Sequence, residues 1–136
     1  MSKPVLTDEM LNTIENYDDE KRFSYLLKQI VTNQEVWLLT DEHGCMMLNT
    51  EDEDCVPVWP NQEFAQRWAT GEWQDCNATA VSLSTWYSRW SLGLADDELS
   101  VVAFPIQSNQ ANQGIVLYPD EFESALRKES KKQQRK

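Results

Sequence analysis

The stretch Val56-Pro57-Val58-Trp59-Pro60-Asn61-Gln62-Glu63-Phe64-Ala65-Gln66-Arg67-Trp68 reads as a buried strand that ends at an aromatic-proline pair and turns into a helix. The same grammar returns as Ile115-Val116-Leu117-Tyr118-Pro119-Asp120-Glu121-Phe122. In both, an apolar run rich in β-branched residues gives way to proline, whose fixed φ and missing N–H suit the first helical position. Acidic residues follow in the first turn, where they complement the helix dipole. Two such units predict an α+β fold: one small mixed or mainly antiparallel sheet of about five to six strands, with helices packed against it.

Working outward, residues 1–6 are expected to be a flexible N-terminus and residues 7–129 one α+β domain. Thr7 is a candidate N-cap for a helix carrying Met10, Leu11, Ile14 and Tyr17, with a break near Tyr17-Asp18. A second helix places Phe23, Leu26, Leu27, Ile30 and Val31 on one stripe. Val36 to Leu39 is a strand, Asp41 to Gly44 a turn in which Gly44 supplies positive φ, and Cys45 to Leu48 the returning strand. Ala80 to Leu83 is a short strand, and Ser84 can cap a helix with Trp86, Tyr87 and Trp90 that stops at Gly93. Leu99 to Phe104 is the strongest strand signal. The last helix starts at Pro119, and residues 130–136 are expected to be a basic flexible tail.

The 136 residues suit a single domain, and 40% hydrophobic content with six tryptophans argues for a folded globule. No apolar run approaches the roughly 18 residues of a membrane span, and Met1-Ser2-Lys3-Pro4 does not begin a signal peptide. A cytoplasmic location is the expectation. Charge is unevenly spread: residues 1–126 hold 6 Lys/Arg against 22 Asp/Glu, while residues 127–136 hold 6 against 1. A body of net −16 repels phosphate backbones, so nucleic-acid binding through the globule is not expected.

Four glycines, at 44, 71, 93 and 114, each serve a turn or cap, and none is left for a phosphate-cradling loop. His43, the only histidine, falls in a turn beside Gly44, away from any nucleophile. His43 with Cys45, Cys55 and Cys76 has the ligand types for zinc but no Cys-x₂-Cys knuckle, so the cysteines read as reduced thiols with no metal or cofactor. Glu51-Asp52-Glu53-Asp54 lacks the alternating ligands and central glycine of a calcium loop and reads as solvated. The aromatics are the unusual feature. Phe64 and Trp68, and Trp86 and Trp90, share helix faces at i, i+4, and large aromatics serve either cores or interfaces.

Phe23 to Leu39, Val56-Pro57-Val58-Trp59-Pro60 with Glu63-Phe64-Ala65, Val81-Ser82-Leu83 with Trp90, Val101 to Pro105 and Val116 to Phe122 together resemble a bacterial domain-of-unknown-function family of small acidic proteins. More distantly, the element order is similar to the N-terminal domain of SseB-like proteins. The resemblance implies one cytoplasmic α+β domain and brings no catalytic residue. The functional expectation is a non-enzymatic interaction or regulatory module with an acidic rim around aromatics, built from Trp59, Trp73, Trp86, Trp90, Asp52 and Asp54 and facing a basic protein partner. An immunity-like protein that neutralises a cationic toxin is one version, and a homodimer is left open. The alternative is a small-ligand binder or enzyme with a pocket at the strand-to-helix edge near Trp59 and Tyr118.

Overall fold

A computed structural model describes residues 7–42, 44–45, 48–49, 54–69, 74–106 and 113–134. Helix α1 (Asp8–Glu15) starts where Thr7 accepts a hydrogen bond from the Met10 amide and buries Leu11 and Ile14. Asp18 caps α2 (Asp19–Asn33) through the Lys21 amide at 2.8 Å, so the break falls where the acidic run predicts it. Gln34 closes α2 in the left-handed region (φ 60) and turns the chain into β1 (Glu35–Asp41).

Strands β2 (Gly44–Cys45), β3 (Leu48–Asn49), β4 (Asp54–Val58), β5 (Asn77–Ser82), β6 (Ser100–Ile106) and β7 (Gln113–Leu117) form two sheets. One is three-stranded, ordered β2-β1-β5, and the other four-stranded, ordered β3-β4-β6-β7. Among the described residues only β4 and β6 run parallel; the other ladders are antiparallel. This corrects the expectation of one sheet. Cys45 and Leu48, expected on one returning strand, belong to different sheets.

The seam between the sheets is one residue pair. Trp37 and Trp59 exchange backbone hydrogen bonds of 3.1 and 2.9 Å in an isolated bridge. Backbone donors alternate between the edges of a strand, so residue 57 would present its N–H to the edge that Trp59 turns toward Trp37. Being proline, it has none, and the ladder cannot extend backward. Pro60 then ends the extended segment, Asn61 takes the N-cap position and α3 (Gln62–Trp68) begins. Pro60 therefore precedes its helix, whereas Pro119 occupies the first position of α6 (Pro119–Gln134) as expected.

Trp59 is 1% exposed; its ring centroid lies 5.8 Å from that of Trp68, and its indole N–H donates to the Pro105 carbonyl at 3.0 Å. That carbonyl lies where β6 slips register between Ala103 and Ile106, with Phe104 at φ 52. The Phe104 ring is held edge-on to Phe64 at 4.7 Å, so packing fixes a backbone conformation that a bulky residue otherwise avoids.

After β5 the chain is helical through α4 (Leu83–Thr85), a π-helical turn (Trp86–Trp90) and α5 (Ser91–Asp96). Ser82, not Ser84, is the cap, accepting from the Thr85 amide. The helix passes Gly93 because Ser91 and Leu94 bury the next turn; Glu98 (φ 59) ends it instead. Residues 130–134 are also helical, not a loose tail. Glu129 is buried on α6, and the Gln133 side chain donates to the Lys28 carbonyl of α2 and to Glu129 Oε2.

Trp59→Ala should lower unfolding stability by about 3–5 kcal/mol, as large-to-small core changes do. Trp59→Phe, which keeps a ring but strands the Pro105 carbonyl, should cost about 1–3 kcal/mol. Urea denaturation followed by circular dichroism measures both. Truncation after Glu129 removes the Gln133 bonds to α2 and should cost about 1 kcal/mol in the same assay.

Candidate acidic and aromatic interface

Sheet register brings together residues that lie far apart in sequence. Parallel pairing sets Cys55 beside Ser100, so Asp54, the first residue of β4, lies beside Leu99. Antiparallel pairing sets Val101 beside Leu117, so the chain entering β6 at Glu98 and Leu99 runs next to the chain leaving β7 at Tyr118. Neighbouring strands are 4.7–4.9 Å apart, which places the backbones at Asp54 and Tyr118 within about 10 Å across β6. Asp54, Asp96, Asp97, Glu98, Asp120 and Glu121 are all exposed around this end of the four-stranded sheet. Among the described residues none of them makes an ion pair.

Tyr118, at the end of the edge strand β7, is 64% exposed, and Leu92, one helical turn before Asp96, is 63% exposed. The Tyr118 backbone is fixed from both sides. Its N–H donates to Glu121 Oε1 at 2.9 Å, and its carbonyl accepts from the Glu121 and Phe122 amides. That is the reach-back of a glutamate at the third helical position, and it holds the ring outward at the helix start. Helix α5 packs on α6, which ties Leu92 to the same framework.

The expected site residues divide sharply. Asp54 is at the rim. Trp90 is half-buried and stacks on Trp86, with centroids 5.8 Å apart and planes 3° from parallel. Trp59 and Trp86 are corrections: both are core. Trp59 is held by the ladder and by Pro105, and Trp86, fully buried, meets Phe122 edge-on at 5.7 Å. Of the two residues named for the alternative pocket, Trp59 is buried and Tyr118 is exposed. Trp73 and Asp52 lie outside the described residues, as do His43 and the Cys45 side chain. Tyr118, Leu92 and the Asp96-Asp97-Glu98 run were missed as surface residues. The acidic run was visible as a charge cluster, but its closeness to Tyr118 depends on long-range register.

A family profile described as Protein of unknown function (DUF2750) matches residues 23–126. The chain belongs to this family. The DUF2750 span contains the Val56-Pro57-Val58-Trp59-Pro60 block and both sheets, but not α1, the first turn of α2 or the last two turns of α6. The match bears on the first of the two resemblances and not on the SseB-like one. No curated protein matches the chain. Helix α1, outside the DUF2750 span, is clipped to α3 inside it: Arg67 Nη1 donates to Asn12 Oδ1 at 2.9 Å and to Glu15 Oε1 at 2.8 Å.

Among the described residues no group of three His, Cys, Asp or Glu side chains could hold a metal ion, and no helix is long and apolar enough to cross a membrane. Among the described residues, Cys55 and Cys76 are buried and take part in no disulfide. Burial pushes the Cys76 thiol up, reinforced by Asp41 and Asp75. Burial also raises the Tyr25 hydroxyl, with Tyr17 and Glu63 adding to it. Tyr87 is raised by burial despite the Arg127 guanidinium 4.2 Å above its ring, which acts the other way.

These three groups hold their protons more tightly when folded than when unfolded. Stability from them is therefore intact below the ordinary values of 9.0 for the thiol and 10.0 for the phenols and is lost as pH rises beyond them. Urea midpoints should be flat from neutral pH to about 8.5 and fall by about pH 10.5. Cys76 should react with a thiol reagent near neutral pH only after denaturant is added. A native-state rate equal to that of the unfolded chain would contradict the burial argument.

Proposed function

We propose that the protein is a non-catalytic interaction module that docks a basic protein partner on the Tyr118 end of its four-stranded sheet. The observation that carries the reading is the register alignment of Asp54, Glu98 and Tyr118 at one sheet end. An outward aromatic with a prefixed backbone loses little freedom on binding, and tyrosine is enriched among residues that dominate interface energy. Carboxylates without ion pairs around it complement cationic groups, speed encounter and exclude acidic competitors. Trp90, half-buried beside Leu92 on the same helix, supplies apolar surface at the margin.

The test compares wild-type protein with a Leu92→Ala/Tyr118→Ala double variant as bait in native-cell extract, followed by binding measurements on the purified partner. Both residues are exposed, so the variant should keep its stability to within about 0.5 kcal/mol per site. The wild type should retain a basic protein that the variant loses, and its association rate should fall steeply with added salt. Equal retention by both baits, or a partner of acidic character, would overturn the proposal.

A further inference from the structure

The opposite end of α6 carries a second feature, independent of the acidic surface. Two open grooves lie between α2 and α6, of about 420 and 590 Å³. Leu27, Ala125, Lys128 and Lys131 line the first; Lys28, Gln29, Thr32 and Gln133 line the second. Glu129 and Lys132 border both, so the two form one elongated depression. Lys28, Lys128, Lys131 and Lys132 are exposed and make no ion pair among the described residues, on a chain of net charge −11.

Helix-dipole stabilisation accounts for Lys131 and Lys132, which sit in the last turn of α6. It does not account for Lys28, which α2 contributes from the facing wall. Gln133 ties the α2 wall to α6: its side chain donates to the Lys28 backbone carbonyl at 3.3 Å and accepts from Thr32 Oγ1 at 3.4 Å. The same amide donates to Glu129 Oε2 at 3.2 Å. Gln133 thus joins the two walls, with Lys128, Lys131 and Lys132 lining one groove and Lys28 and Lys132 the other.

We infer that this depression binds a small molecule with at least two phosphoryl groups, one over each groove. Lysine is a compact point charge suited to phosphate, and four of them line the depression. A long polyanion would extend past the lysines onto the acidic body, where residues 1–126 carry 22 Asp/Glu, and would be repelled.

Isothermal titration of the full chain with inorganic tripolyphosphate at fixed ionic strength tests this assignment. Wild type should bind saturably, inorganic phosphate should compete poorly, and Lys28→Gln/Lys132→Gln should weaken binding by about tenfold or more. Lys21→Gln, outside the depression, should leave it unchanged, and circular dichroism should show all variants folded. No binding by wild type, or equal binding by the double variant, would overturn the site. Inorganic phosphate competing as well as tripolyphosphate would overturn the two-group geometry. A DNA oligonucleotide or polyglutamate binding these lysines more tightly than tripolyphosphate would replace the small-molecule assignment with a macromolecular one.

Discussion

The reciprocal hydrogen bonds between Trp37 and Trp59 are the constraint on which the remaining architecture depends. They are the only described backbone ladder contact joining the two sheets. A single pair in water would be marginal. Here one partner, Trp59, is buried, with its ring against Trp68 and its indole bonded to Pro105, where an unmade bond is expensive. Because β4 is fixed to β1 at that point and to β6 along its length, α3 has one direction in which to leave. Its Phe64 then meets Phe104 and Tyr25 in a ring cluster that joins α2 to the sheet.

Helix α6 links the two candidate surfaces. Its first turn carries Asp120 and Glu121 and its last turn Lys131 and Lys132, an order that favours the helix at both ends through the macrodipole. Between them Phe122 and Leu126 bury against the core, and Glu129 and Gln133 continue the same stripe toward α2. One helix thereby displays opposite charge at its two ends while its middle is committed to packing. The surfaces are separated by the helix length, so a substitution at one is too remote to perturb the other through screened charge alone.

The sequence by itself determined the local choices. The cap at Thr7, the helix break at Tyr17-Asp18, the positive φ of Gly44 and the Pro119 helix start follow from side-chain chemistry acting within a few residues. The α+β class follows from switches between two hydrophobic periods, which are also local. Tertiary structure alone decided the rest. The split of one sheet into two turns on which edge of β4 Pro57 faces, and that edge is defined only once Trp59 has found Trp37. The core placement of Trp86 depends on Phe122 arriving from the last helix, so composition could not separate it from Trp90 one turn away. The helical continuation past residue 129 rests on Gln133 reaching Lys28 across 105 positions of sequence. Asp54, Glu98 and Tyr118 become neighbours through two ladders of opposite sense, and strand register is a long-range property that no single segment encodes.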